Sequence, residues 1–307
     1  MDDTVSAFGV IVNVDGYAPD ALVAHVGRIE AFGFESVWIT DLFGRDVYVT
    51  AGYLLANTRR IKIGSGIAPI YGRDATASAQ AARTLDELYG GRFLHGLGLS
   101  HAAMAEARGH TWEDPIAKAT AYVAEVREGR LLRPPLAGRE VPVHLAAHGP
   151  KMLSGPARAA DAVLTYMQTP RACAELRATV GPSVPVDLMM PCCLTTDEEI
   201  GRRMGRNALR IYLGLPAYQR LWRREGFTPA DWADGGSDAL IDTYMNWGDR
   251  DTITTHMRQC LNAGITNIIV SAAPSRRGDP ESIWPLLEAV APRRTAAGGE
   301  TADIAPT

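Results

Sequence analysis

The chain has 307 residues, of which 46% are hydrophobic, and its formal net charge is −4 at pH 7. This composition is sufficient for a buried core, and the weak negative charge gives no reason to expect binding to nucleic acid or to an anionic membrane surface. No apolar run is long enough to span a bilayer and no targeting segment is recognisable, so we expect a cytoplasmic protein. The four cysteines lack CxxC spacing and adjoin no histidine, which argues against a metal site and against a disulfide framework.

Short apolar segments alternate along the chain with segments of helical periodicity. Continuous apolar character is typical of strands that are buried on both faces in a parallel sheet covered by helices. We therefore predict an α/β fold, a (β/α)8 TIM barrel rather than an open doubly wound sheet. The eight predicted strands are 8–14, 36–40, 61–64, 92–97, 141–145, 162–167, 184–194 and 267–271, and the helices between them include 46–57, 74–89, 115–128, 171–179 and 252–263.

An Arg- and Trp-rich segment, residues 201–244, interrupts this pattern between the seventh and eighth predicted strands. It is too long for a simple connection, so we predict a helical insertion that forms part of a substrate wall. Two aromatic groups would either shape that wall or anchor the insertion's own core. They are Tyr212, Tyr218 and Trp222, and Trp232, Tyr244 and Trp247. Residues 1–291 are predicted to form one domain, and the small, polar tail 292–307 is expected to be disordered.

The carboxyl ends of the strands are where such a barrel carries its functional groups. The most informative segment is LDELYGGRFLHGLGLSH, residues 85–101, in which a strand stops at Gly98, Ser100 and His101. Glycines in and after a strand let a flat ligand approach the backbone closely. The sequence contains no phosphate-binding glycine loop, no dinucleotide-binding fingerprint and no zinc-protease motif.

Four segments, in order along the chain, carry a resemblance to a known superfamily. They are VWITDLFGRDVYVTAGYLLANTRRIKIGSGIAPIYGRDATASAQAARTLDELYGGRF, GLGLSHAAMAEARGHTWEDP, LAAHGPKML and GGSDALIDTYMNWGD. With these the chain resembles the bacterial luciferase-like oxidoreductases, and more narrowly the actinobacterial branch assigned to the deazaflavin coenzyme F420. The resemblance extends from Phe8 to about Ala291. It implies a barrel enzyme that uses F420, with FMN as the alternative cofactor, and a homodimer.

The resemblance also implies where the cofactor ring lies. Ser65, Gly66, Ile67 and Ala68 would lie beside the ring at the end of the third strand, with a non-proline cis peptide between Gly66 and Ile67. Alternatively, Gly64 and Gly66 only relieve crowding at a corner of the barrel.

Two residues are the candidates for catalysis. His101 matches a position where related deazaflavin enzymes place an acidic or histidine group, and an imidazole pKa near 6.5 would suit a general acid. Asp41 matches a position that contacts the cofactor or orients the active-site base. The alternatives are a histidine that fixes a helix terminus and an aspartate that caps the following helix.

Further cofactor contacts are implied at the ends of the fourth and fifth strands. Gly98 and Ser100 would contribute from the fourth strand. The segment Ala146, Ala147, His148, Gly149 and Lys151 resembles the part of the fifth strand that lies along the cofactor, where free N–H groups and Lys151 would hold a phosphate. The alternative for Lys151 is a solvated surface lysine.

Tyr71 and Arg73 would clamp the ring edge or the anionic tail of the cofactor. Arg73 would otherwise pair with Asp74 or Asp86 on the surface. Arg108 and His110 are weaker candidates of the same kind.

One departure from the superfamily pattern bears on the reaction. Flavin monooxygenases of this kind often carry an acidic-His-His sequence after the second strand, and several deazaflavin dehydrogenases carry Asp-His-Phe, whereas this chain has Asp41-Leu42-Phe43. The missing histidine disfavours peroxyflavin chemistry and alcohol dehydrogenation. We therefore expect hydride transfer from reduced F420 to an unsaturated, carbonyl or imine group of a small substrate. The alternatives are an FMN-dependent monooxygenase supplied by a separate reductase, a flavin-binding barrel that has lost catalysis, and a cofactor-free lyase.

Overall fold

The computed structural model describes residues 8–129, 138, 140–275 and 279–292. The chain divides into two compact units. The first unit comprises Gly9–Leu164 and Thr179–Pro185, and the second comprises the other described residues. The tail predicted to be disordered lies, from residue 293 onward, outside the described residues, and the prediction of a single domain stays a prediction.

Parallel strands that lie wholly or largely in the first unit form its sheet. They are β1 (Phe8–Val12), β2 (Ser36–Ile39), β3 (Lys62–Ser65), β4 (Ala68–Pro69), β5 (Phe93–Gly98), β6 (Val143–Ala146) and β7 (Ala162–Tyr166). The pairing order is β1-β2-β3-β5-β6-β7, and β4 also pairs with β5. Trp38 in β2 lies opposite Gly64 in β3, where a Cβ atom would come within 2.6 Å of the indole ring. Only glycine fits this position, so Gly64 does relieve crowding beside Trp38, and the role of Gly66 stays a prediction.

In the described parts of the connections between these strands there are six α-helices, and several begin at a capping aspartate or at a proline. They are α1 (Pro19–Ala31), α2 (Val47–Ala56), α3 (Ala75–Leu88), α4 (Ala102–Ala107), α5 (Pro115–Glu128) and α6 (Pro150–Ser154). The carboxylates of Asp46, Asp74 and Asp114 accept hydrogen bonds from backbone N–H groups in the first turns of α2, α3 and α5. Each satisfies donors that a helix start otherwise leaves unpaired.

The second unit contains β8 (Val186–Leu194), β9 (Asn246–Gly248) and β10 (Asn267–Ala272). β8 pairs in parallel with both β9 and β10. The helices are α7 (Pro170–Val180), α8 (Glu198–Leu209), α9 (Pro216–Arg224), α10 (Pro229–Trp232), α11 (Asp238–Tyr244), α12 (Arg250–Asn262) and α13 (Trp284–Val290). The four cysteines are free and buried. Within the described residues, no helix has the length and apolar character needed to cross a bilayer.

The insertion between β8 and β10 is helical, as predicted, and begins at Glu198 rather than at residue 201. Its aromatic side chains pack mainly on one another. Tyr218, Trp222 and Tyr244 are buried in one apolar cluster, against which Tyr212, Trp232 and Trp247 pack partly buried. These contacts favour the interpretation that the aromatic residues anchor the insertion's own core.

Candidate functional site

Three residues that the sequence assigns to the cofactor meet at the carboxyl end of β5. A Cβ atom built on Gly98 would lie 2.9 Å from the Cβ atom of Ala146 and 3.0 Å from side-chain carbons of Ile67. We call Ile67, Gly98 and Ala146 the strand-end platform. The peptide bond between Gly66 and Ile67 is cis, as the resemblance implied.

Three further residues of the predicted set lie within the sheet. The fully buried Ser65 hydroxyl donates a hydrogen bond to the Gly96 carbonyl, with an O···O distance of 2.8 Å. Ala68 is buried opposite Leu97, and the amide of buried Ala147 donates to the Leu164 carbonyl. These contacts secure the strands that carry the platform, and a direct contact of these residues with a cofactor stays a prediction.

Two imidazoles follow the platform along the chain. His101 comes three residues after Gly98, and His148 comes two residues after Ala146. Burial lowers the pKa of His101 below 6.5, and burial together with the nearby charge of His101 lowers the pKa of His148 to about 4. Both imidazoles are therefore mainly neutral at pH 7, and the pKa of His101 lies below the unperturbed value of 6.5 on which the sequence-based prediction rests.

The backbone before His101 has an unusual conformation. Ser100 has φ = 61°, in the left-handed region that residues other than glycine, asparagine and aspartate seldom adopt. His101 is the N-cap residue of α4, and its carbonyl accepts hydrogen bonds from the amides of Met104 and Ala105. Its side chain makes no capping hydrogen bond. The backbone of His101 therefore starts the helix without help from its side chain.

Asp41 lies in a cluster of charges after β2. Its carboxylate is 3.2 Å from the Arg73 guanidinium and 3.6 Å from that of Arg108, and its side chain is only 8% exposed. Burial raises the pKa of Asp41 above its usual value, although both arginines act in the opposite direction.

This cluster corrects two expectations from the sequence. Asp46, not Asp41, caps α2, so the alternative role for Asp41 as a helix cap is wrong. Arg73 pairs with Asp41 and Asp46 rather than with Asp74 or Asp86. The ion-pairing partners lie 32 and 27 positions away along the chain, which explains why local spacing pointed to the wrong residues.

Tyr71 and Lys151 differ strongly in exposure. Tyr71 is buried, with its ring 5.4 Å from that of Trp112 and its hydroxyl accepting a hydrogen bond from the Glu113 amide. These contacts give Tyr71 a structural role in this arrangement. Lys151 is exposed in the first turn of α6, and no atom lies within 4 Å of a Cβ atom built on the preceding N-cap residue, Gly149. That end of the site is therefore open.

Sequence reasoning missed Thr40 as a functional candidate. Its hydroxyl oxygen, next to Asp41 at the end of β2, is buried and has no hydrogen-bond partner in the part of the chain that the structure describes. An unsatisfied buried polar atom carries a free-energy cost, and at such an edge it indicates where a ligand could bind. A polar residue ending an apolar strand was the available signal. Across the described ranges, no group of three or more His, Cys, Asp or Glu side chains could hold a metal ion.

Comparison with known proteins identifies what this chain is similar to. The family model described as luciferase-like monooxygenase matches residues 5–267. The chain is 26% identical to the 5,10-methylenetetrahydromethanopterin reductase of Methanolobus tindarius, over 83% of this chain and 91% of that protein. It is 25% identical, over 82% and 90%, to a protein of Mycobacterium tuberculosis named provisionally as a coenzyme F420-dependent oxidoreductase.

Solved structures resemble the chain over nearly its whole length. An F420-dependent secondary alcohol dehydrogenase in complex with an F420-acetone adduct matches with a TM-score of 0.73 at 18% identity, over 92% of this chain and 97% of that one. A type II Baeyer-Villiger monooxygenase of Pseudomonas putida in complex with FMN matches with a TM-score of 0.69 at 13% identity, over 93% and 97%. These likenesses confirm the predicted fold class, a (β/α)8 barrel of the luciferase-like type.

Proposed function

Because the chain belongs to the luciferase-like monooxygenase family, and is an oxidoreductase, we propose that it uses coenzyme F420 to reduce a small organic substrate at an unsaturated, carbonyl or imine group. Support for F420 comes from the curated relative named for this coenzyme, which matches along most of both chains. Support for reduction comes from the relative named as a reductase and from Leu42, which stands where related dehydrogenases carry histidine.

The residues at the carboxyl ends of β2, β5 and β6 suit a flat tricyclic cofactor. The strand-end platform consists of apolar residues, and at Gly98 a side chain would collide with Ala146 and Ile67. The unpaired Thr40 hydroxyl offers a hydrogen bond to a ring edge. The open, exposed surroundings of Gly149 and Lys151 suit an anionic tail. When bound, the cofactor supplies the hydride.

The single observation that carries the proposal is the pair of shielded imidazoles, His101 and His148, that follows the platform. Reduction of a carbonyl or imine requires a proton as well as a hydride. His101, which begins α4 three residues after Gly98 of the platform, delivers that proton to the substrate. His148 stays neutral and can orient the substrate by a hydrogen bond. Asp41, held by Arg73 and Arg108, contributes a fixed charge at the edge.

The experiment that tests the cofactor is an anaerobic fluorescence titration of the purified protein with F420 and, separately, with FMN, each oxidised and reduced. We expect tight binding of F420 and binding of FMN at least tenfold weaker. Preference for reduced FMN would contradict the proposal, and so would a failure to bind either cofactor.

A second experiment tests whether the site is catalytic or only binds the cofactor. Oxidation of reduced F420 is followed with a panel of small enones, ketones and imines. We expect His101→Ala to lose at least 100-fold in turnover while it keeps its affinity for F420, because general acid catalysis contributes on the order of 10² to 10⁴. The control is His256→Ala, which removes a half-buried histidine of α12, a helix that carries no residue of the candidate site. Unchanged turnover in His101→Ala would show that its imidazole is not the proton donor.

An FMN-dependent monooxygenase is the second candidate, favoured by the family description and by the fold shared with an FMN-bound monooxygenase. It would need reduced FMN from a separate reductase. The two candidates differ in oxygen use, because only the monooxygenase consumes one O₂ for each product formed. An oxygen-electrode measurement with reduced FMN and with reduced F420 separates them.

A further inference from the structure

Arg73 connects the candidate site to a tyrosine in the core of the first unit. Its guanidinium donates hydrogen bonds to Asp41, at 3.2 Å, and to Asp46. The same guanidinium lies 4.7 Å above the centre of the Tyr48 ring. A planar guanidinium stacks on an aromatic face and directs its N–H groups outward in its own plane. The Tyr48 ring therefore restricts the guanidinium to the orientation in which it bridges the two carboxylates.

Burial and hydrogen bonds of its hydroxyl group hold the Tyr48 ring in place. It is buried, and its hydroxyl is hydrogen-bonded to the Ser78 hydroxyl at 2.5 Å and to Nε2 of His95 at 2.8 Å. Ser78 and His95 are also within hydrogen-bond distance of each other, at 3.2 Å, so the three groups close a triangle. A fully satisfied buried polar network of this kind makes its members rigid.

A second tyrosine, Tyr122, holds the backbone of Arg73. The hydroxyl of Tyr122 donates a hydrogen bond to the Arg73 carbonyl at 3.2 Å. The main chain is thus secured by one tyrosine and the guanidinium by another. Removing the Tyr48 ring would leave the main chain of Arg73 in place while the guanidinium gained rotational freedom.

We propose that Tyr48 is a positioning residue for the candidate site: its anchored ring holds the Arg73 guanidinium between Asp41 and Asp46 and so fixes the charge environment of the Asp41 carboxylate. This inference deepens the proposed function and rests on it only in treating Asp41 as part of the site. Ordinary core packing is the competing explanation, and it predicts a loss of stability with no effect on Asp41.

The groups around Asp41 give the direction of the expected effect. Burial raises the pKa of Asp41, and the guanidiniums of Arg73 and Arg108 lower it. If the hydrogen bond from Arg73 is lost, a lowering influence disappears and the pKa of Asp41 rises further. The charged groups that face Asp41 are Arg73, Arg108 and Asp46. Tyr122 and His95 are the further titratable groups that face Tyr48 or Arg73.

The test is the titration of Asp41 in the cofactor-free protein, followed by NMR of ¹³C-labelled aspartate carboxyl groups and assigned by the signal missing in Asp41→Asn. In Tyr48→Leu we expect the Asp41 midpoint to rise by about one pH unit, the lower end of the effect of an opposite charge at this distance. Tyr48→Phe keeps the ring and should restore at least half of that shift. The matched control is Tyr53→Leu, which removes a partly exposed tyrosine from the same helix, α2.

An Asp41 midpoint in Tyr48→Leu that equals the wild-type value would overturn the proposal, as would a Tyr48→Phe midpoint shifted as far as that of Tyr48→Leu. If Tyr48→Leu does not fold, Arg73→Lys takes its place, because a lysine lacks the planar fork that bridges two carboxylates. A wild-type midpoint there also overturns the proposal. F420 titrations of the same variants test the proposed function separately. If none of them bound F420, the proposed function would be contradicted, whereas the conclusion about Asp41 would not be affected.

Discussion

The protonation of one imidazole decides how pH acts on the proposed reaction. Burial lowers the pKa of His101 below 6.5, so the imidazolium that donates a proton during reduction is a minor species at pH 7. As the pH falls from 8 toward that pKa, the protonated fraction and the reduction rate should rise, up to tenfold for each pH unit. The rate should level off at a midpoint below pH 6.5. Initial rates of F420 oxidation between pH 5 and 8 test this.

Running the same reaction in reverse gives the control. In the oxidation direction His101 must accept a proton, so the rate should be constant above its pKa and fall below it. The two profiles should share one midpoint because one group serves both directions. A reduction rate that increases with pH would exclude His101 as the acid.

The left-handed backbone at Ser100 leads to a stability prediction for a single residue. A side chain at φ = 61° costs roughly 1 to 2 kcal/mol, which glycine avoids. Ser100→Gly should therefore exceed Ser100→Ala in free energy of unfolding by about 1 kcal/mol, since both lose the hydroxyl and differ only in Cβ. Urea unfolding of the pair measures the difference. Equal midpoints would mean that the loop relaxes to another conformation.

At helix α2, the contributions of an N-cap and of an ion pair to the free energy of unfolding can be measured separately. The Asp46 carboxylate accepts hydrogen bonds from the amides of Tyr48 and Val49 and also pairs with Arg73. Asp46→Ala should lower the free energy of unfolding by about 1 kcal/mol, as loss of an N-cap typically does. Asp46→Asn keeps a capping oxygen and loses only a partly exposed ion pair, so we expect a loss below about 0.5 kcal/mol.

Asp114 provides the comparison, because it caps α5 through the Ala117 amide and forms no ion pair in the described part of the structure. Asp114→Ala and Asp46→Ala should be destabilised to a similar extent in urea unfolding followed by circular dichroism. If Asp46→Asn is as unstable as Asp46→Ala, the ion pair rather than the cap stabilises α2.

At the scale of elements, long periodic segments were predictable and short ones were not. The eight predicted strands are all present, and α5 begins and ends at the residues that the sequence indicated, Pro115 and Glu128. β4, β9 and α4 were missed. β4 has two residues and β9 three, too few to show an alternation, and the six residues of α4 lack an apolar stripe.

Across the whole molecule, the candidate site was predictable where it follows from strand order and unpredictable where it depends on distant partners. Gly98 and Ala146 could be assigned to one edge because parallel strands end together. The burial of Tyr71 and the pairing of Arg73 with Asp41 depend on how loops fold over the strand ends. The lowered pKa of His148 likewise requires the packing around it, which no local spacing encodes.

Two histidines with strongly lowered pKa values, His95 and His148, decide how the stability of the whole molecule changes in acid. Burial lowers the pKa of His95 to about 3, and that of His148 is about 4, whereas both are near 6.5 in the unfolded chain. Below pH 6.5 the unfolded state therefore binds protons that the folded state does not. The stability that the neutral histidines contribute above that pH is lost as the pH falls. The loss is complete only below the pKa values of the folded state. Each histidine contributes a slope of up to about 1.4 kcal/mol per pH unit.

Urea unfolding between pH 7 and 5, where most carboxylates stay ionised in the unfolded chain, should show this decline. His95→Gln should be less stable at pH 7, because the bond to Tyr48 is altered, yet lose stability more slowly on acidification. A variant slope as steep as that of the wild type would mean that His95 takes up its proton without unfolding.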